Sequence, residues 1–121
     1  MTERDRRFVV PTWASSARYG MSRALAYRLI DALLSHRTRV LCIATDERTV
    51  HAWCAGHDDV MHYAYVAPEL RRQGFARILV ARMFGGSGPA VLTHEAPKHL
   101  APRARLNPYL LASQLSELEA A

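Results

Sequence analysis

Lysine is nearly missing from this chain of 121 residues: Lys98 stands alone, and the rest of its 16 cationic side chains are arginine. Acidic side chains are also few, 11 in all, which leaves a formal net charge of +5 at neutral pH. Arginine presents a planar fork of donors suited to phosphate and carboxylate. A phosphorylated ligand, nucleic acid or an acidic protein surface are therefore compatible partners, and so is a plain solvated basic surface. Cysteine is limited to Cys42 and Cys54, both in β-prone apolar runs, with neither CxxC spacing nor histidines at zinc-site intervals. That pattern predicts buried reduced thiols and no metal site. No apolar run reaches the roughly 18 residues that a membrane span needs, and the opening MTERDRRFVV lacks the apolar core of a signal peptide. A soluble, cytoplasmic protein with no membrane partner is expected.

What is present is apolar. Half of the residues are hydrophobic and 22% are charged, which suits one core and one domain over residues 1–121, without internal repeats or linkers. RRFVVPTWASS begins as a β-prone run that Pro11 pushes toward a sheet edge or a strand end. Ser22 can N-cap a helix over about Arg23 to His36, with Leu25, Leu29, Ala32, Leu33 and His36 as its buried stripe. One helix is thus expected ahead of the strands. Val40 to Thr45 and Val50 to Ala55 flank a polar turn and predict a hairpin, and GHDDVMHYAYVAP adds a third antiparallel strand ended by Pro68.

From Gly74 the apolar period lengthens from two to about 3.6 residues, the helical repeat. Phe75, Ile78, Leu79 and Met83 share a face, and GGSGP closes the helix. AVLTHEA is a further short strand. PKHLAPRARLNPYLL is broken by prolines into irregular structure, and SQLSELEAA suggests a frayed terminal helix. The order predicts an α/β layered domain.

The chemistry gathers in YVAPELRRQGFARILV. A strand ends near Val66 to Pro68, and a helix starts near Gly74 or Phe75. The first-turn N–H groups of that helix have no intrahelical acceptors, and Arg71, Arg72 and Arg77 flank them, an arrangement suited to phosphate or pyrophosphate. Gly74 allows close approach to the backbone. An ordinary strand-to-helix connection would carry the same residues.

VAPELRRQGFA resembles the acyl-CoA signature of the GNAT superfamily of N-acetyltransferases, with Arg71, Gly74 and Ala76 at the R/Q-x-x-G-x-G/A positions and Val66 and Pro68 as the lead-in. The resemblance covers about Val40 to Leu92. It implies a GNAT-like fold with a mixed, mostly antiparallel central sheet flanked by helices. It also implies acetyl-CoA as acyl donor and direct transfer of the acetyl group to an amine. The backbone amides of Arg72, Gln73, Gly74, Phe75, Ala76 and Arg77 would hold the pyrophosphate, Arg71 at the motif's first position would also bind the cofactor, and Ala64, Tyr65 and Val66 would pair with the pantetheine arm.

Direct transfer needs a neutral amine, an acceptor for its proton and a donor for the departing thiolate. By the resemblance, His62 stands where family members carry the base, and an imidazole there would serve near neutral pH without a large pKa shift; the other reading is a histidine satisfied by packing or hydrogen bonds on a sheet face. By the resemblance, Tyr109 stands where the family places the general acid and Asn107 would touch the pantetheine; surface-loop roles are the other reading of both. His94 and Glu95 are read either as lining the acceptor pocket or relaying a proton, or as a polar strand end exposed to water. Trp53, Tyr63 and Tyr65 are read as core or pocket wall, and TWASSARYG as acceptor-pocket border or loop packing. Ser15 and Ser16 lack the context of a serine hydrolase. The expected partners are acetyl-CoA and an unidentified amine. Nucleic acid is left open but not favoured, and a homodimer through sheet edges is left open. The alternative is a catalytically silent GNAT-like module that binds a protein or nucleic acid within a larger assembly.

Overall fold

The computed structural model describes residues 2–17, 19–46 and 49–111. Two helices lead the chain, α1 (Glu3–Ser16) and α2 (Arg23–Leu34). They are followed by the strands β1 (Arg39–Asp46), β2 (Thr49–His57) and β3 (Val60–Val66), a 3-10 turn at Pro68–Leu70, helix α3 (Phe75–Phe84), and the short strands β4 (Val91–Leu92) and β5 (Arg105–Leu106). The expected terminal helix in SQLSELEAA lies outside the described residues. Among the described residues no helix is long and apolar enough to cross a membrane.

The first segment is a helix, not the strand expected of RRFVVPTWASS. Thr2 and Asp5 form a reciprocal capping box, Thr2 Oγ1 accepting from the Asp5 N–H and the Asp5 carboxylate accepting from the Thr2 N–H, both at 3.0 Å. This satisfies two N-terminal donors that would otherwise need water. Val9, Val10 and Trp13 then fall on one face and are buried. Burial of that face outweighs the β preference of valine and the cost of an internal proline, about 3 kcal/mol. Beside Pro11, the Thr12 hydroxyl donates to the carbonyls of Phe8 at 2.8 Å or Val9 at 3.1 Å. It also accepts from Trp53 Nε1 at 3.0 Å, which ties the helix to the sheet.

Helix α2 starts at Ser22 as expected, with the serine Oγ accepting from the Leu25 N–H. Its buried face is Ala26, Leu29, Ile30 and Leu33, so Leu25 and His36 are exposed rather than part of the stripe. The register of the stripe is set by α1, which packs on α2 and carries Arg6 to its ion pair with Asp31.

The five strands lie in sequence order, β1-β2-β3-β4-β5. β1 with β2 and β2 with β3 are antiparallel, whereas β3 with β4 and β4 with β5 are parallel. The sheet is therefore mixed, and the expectation of a mostly antiparallel sheet is corrected: the crossover through α3 returns the chain parallel to β3, and the 93–104 segment returns it parallel again at β5. α1 and α2 cover one face, with Val9, Trp13, Leu29, Ile30 and Trp53 in that core. α3 covers the other, with Ala52, Cys54, Met61, Leu79 and Val80. β2 is buried along most of its length because it is covered on both sides. Cys54 is buried and Cys42 half-buried, both free thiols, and burial pushes them up to about 12 and about 11. On α3, Leu79 and Val80 are the buried pair and Ile78 is exposed, so the apolar stripe is rotated from the expected one.

β3 carries a bulge. Ala55 faces Tyr63 and Gly56 faces Met61, which leaves His62 as the extra residue. Gly56 is required opposite it by space: a Cβ there would lie 2.4 Å from the Val60 carbonyl oxygen and 2.8 Å from the Phe84 ring. Gly56→Ala should therefore cost about 1–3 kcal/mol of stability, the usual range for an overpacked core, read as a lower urea midpoint.

Candidate functional site

The parallel pairing of β3 with β4 runs through Val60–Val91 and Met61–Leu92, with one more bond from the Thr93 N–H to the Met61 carbonyl. Past that point β3 continues to Val66 along β2, while the chain after β4 turns away through Pro97 to Leu100. A cleft of about 660 Å³ opens between them. Its walls are Tyr63, Ala64, Tyr65 and Val66 from β3, Leu70, Arg71 and Arg72 from the connecting turn, Gly74, Phe75, Ala76 and Arg77 from the start of α3, and Pro97, His99 and Leu100 opposite.

Local sequence dictates the floor. Pro68 starts a 3-10 turn whose bonds run from Leu70 N–H to Ala67 O and from Arg71 N–H to Pro68 O. Arg71 Nε donates to the Val66 carbonyl at 2.9 Å, pinning the turn to the strand end. Arg72 and Gly74 both take left-handed backbone angles, with φ of +68° and +87°. For arginine that conformation costs about 1–2 kcal/mol, whereas glycine adopts it freely. Gly74 is the N-cap of α3 and has no side chain to cap with. The first helical bond donates from Ile78 to the Gly74 carbonyl, so the N–H groups of Phe75, Ala76 and Arg77 have no acceptor within the helix. Their partial positive charge, the helix dipole and the three arginines act together beside the cleft.

Of the residues expected to bind cofactor, Ala64, Tyr65, Val66, Arg71, Arg72, Gly74, Phe75, Ala76 and Arg77 line this one cleft. Gln73 is exposed in the turn and is not among the lining residues. Asn107 is not there either: it is exposed, and its backbone N–H donates to the Leu92 carbonyl at 2.7 Å, extending the β4–β5 ladder. Tyr109 is 81% exposed beyond β5. The proline-broken segment uses its residues to build β5, which carries Asn107 and Tyr109 away from the cleft walls.

His62 departs most from expectation. Its ring is fully buried, 6.2 Å from the Trp13 ring and 5.2 Å from that of His57. Nδ1 is 2.9 Å from Thr93 Oγ1, and Nε2 has no hydrogen-bond partner among the described residues. Burial, with a smaller contribution from His57, pushes its pKa down to about 3. The expectation of an imidazole serving near neutral pH is thus corrected: His62 is a neutral ring in the core under α1, tethered to Thr93 just past β4. The bulge turns it to that face.

On the same side, a polar aromatic group stands at the vertex where the strands part. Tyr63 and His94 meet edge to face at 5.0 Å, and Tyr19 meets His94 at 5.7 Å. Trp13 Nε1 donates to the Tyr19 hydroxyl at 2.6 Å, and burial raises Tyr19 to about 12. Tyr19 belongs to the loop read as acceptor border or packing, and Trp13 is core. Sequence reasoning missed the wall formed by Pro97, His99 and Leu100. They sit far along the chain in a segment without periodicity, and no local signal brings them to β3. The chain shows no match to family models, to curated proteins or to solved structures.

His62 is neutral in the folded protein down to about pH 3, whereas in the unfolded chain it takes up a proton near its ordinary value of about 6.5. Stability from this residue is therefore full above about pH 6.5 and is lost as pH falls from there toward 3, by up to about 1.4 kcal/mol per pH unit. Urea midpoints measured between about pH 7 and about pH 5 should fall steeply for the native sequence and less steeply for His62→Gln.

Proposed function

We propose that the chain is an acetyl-CoA-dependent N-acyltransferase that passes the acetyl group directly to an amine, with its donor site in the cleft beside β3. The carrying observation is the convergence on one cleft of a strand that has outrun its pairing with β4 and a glycine-capped helix start flanked by arginines. A CoA thioester has matching parts. Its pyrophosphate suits the Phe75 to Arg77 amides and the guanidinium groups, and its pantetheine amides suit the β3 edge at Ala64 to Val66. A cleft of about 660 Å³ is of the size that small-molecule sites usually have. The amine would enter from the α1–α2 side, where Tyr19, Tyr63 and His94 adjoin the vertex.

One observation favours the second reading, a catalytically silent module that binds a protein or nucleic acid. His62 is enclosed and Tyr109 stands out in solvent, so neither acts as a base or acid in the cleft as drawn from the family. If the arginine face binds nucleic acid instead, affinity falls steeply with added salt.

Calorimetric titration with acetyl-CoA and with CoA separates the two. The acyltransferase reading expects micromolar binding of both; absence of binding at millimolar ligand overturns it. Gly74→Val, forced to φ +87°, should keep the far-ultraviolet circular dichroism of the fold and weaken CoA about tenfold or more. Unchanged affinity would show that the ligand does not sit on α3.

A further inference from the structure

We propose that His94 is the catalytic base of this site, with Nε2 as the atom that accepts the proton of the attacking amine. The inference rests on the acyl-CoA reading and assigns a role which that reading leaves open. His94 Nδ1 lies 3.1 Å from the backbone carbonyl oxygen of Glu95. A carbonyl only accepts, so Nδ1 carries the hydrogen and Nε2 keeps its lone pair. The tautomer is thereby fixed by the chain itself.

Position supports the same role. The strands separate just after Met61 and Leu92, so a thioester laid along β3 with its pyrophosphate at α3 brings its acyl end to that vertex. Thr93 is the first residue past the paired segment and is occupied with His62. His94 is the next, half-buried and adjoining the cleft rather than lining it, with its ring edge to face against Tyr63 of the β3 wall and against Tyr19 from the loop after α1. Tyr19, Tyr63 and the neighbouring Glu95 are ionisable groups beside it. Burial holds the Tyr19 phenol protonated well above neutrality, so of the two rings in contact there the imidazole is the one that accepts, while the Glu95 side chain is exposed to solvent.

In the transfer step, the amine nitrogen attacks the thioester carbonyl carbon and the N–C bond forms. The C–S bond breaks with its electron pair going to sulfur. His94 Nε2 takes the proton that the nitrogen loses, and that proton then restores the CoA thiol. An acceptor-independent probe tests the placement. Bromoacetyl-CoA puts an electrophilic carbon where the acyl group lies, so the Nε2 lone pair displaces bromide, an N–C bond forms and one proton goes to buffer. The expected result is a single CoA adduct mapped by mass spectrometry to His94, suppressed by excess acetyl-CoA, which has no free thiol to consume the probe, and lost in His94→Gln, which retains CoA affinity by calorimetry. CoA binding with the adduct on His99, Cys42 or elsewhere, or with no adduct, overturns the assignment of His94 and leaves the donor site standing. Failure of CoA to bind removes both.

Discussion

The early parting of β3 and β4 is the constraint on which the rest of the site depends. Two residue pairs hold the strands together, and the bulge at His62 then bends β3 away. An extra residue in one strand raises local twist and breaks the ladder, so past its pairing with β4 the strand from Ala64 to Val66 borders the cleft. Gly56 permits the bulge because no Cβ fits between the Val60 carbonyl and Phe84. Continuous pairing along β3 would have used the same backbone groups internally and closed the cleft.

The bulge also drives a polar ring into the core, and the surrounding aromatic side chains accommodate it. Trp13 packs against Trp53 at 5.5 Å and against His62 at 6.2 Å, and its indole N–H is satisfied by Tyr19. Neutral imidazole can occupy such a space, whereas imidazolium would lose its hydration without a counter-charge. Helix α1, the loop at Tyr19 and the strand vertex are therefore linked through one tryptophan. On the proposed reading, the wall facing the acceptor inherits its rigidity from that core contact.

Legibility of the site followed distance along the chain. The turn and helix start from Arg71 to Arg77 were readable because all their parts are neighbours in sequence: a strand end, a proline, a glycine needing φ above zero and a helix whose first amides lack partners. His99 and Leu100 were not, since nothing in a proline-broken stretch says which strand it will face. Which of the two readings of His62 holds is decided at similar range. Its residue type suggested a titrating group, but its protonation is governed by Trp13 and by burial under a helix more than forty positions earlier in the chain.

By itself, the sequence determined the hairpin and third strand, the α2 and α3 helices and the glycine turn, all through short-range periodicity and through φ preferences that act within a few residues. The capping box of Thr2 and Asp5 was equally local, but the valines and Pro11 masked it. Tertiary structure alone decided that the first segment is a helix, that α2 and α3 turn slightly different faces inward, and that β4 and β5 join the sheet in parallel. The physical reason is the range of the forces involved. Propensities and caps contribute a kilocalorie or so each and are written in adjacent residues. Burial of Val9, Trp13, Leu29, Ile30 and Trp53 against one another sums over elements far apart in the chain and overrides them.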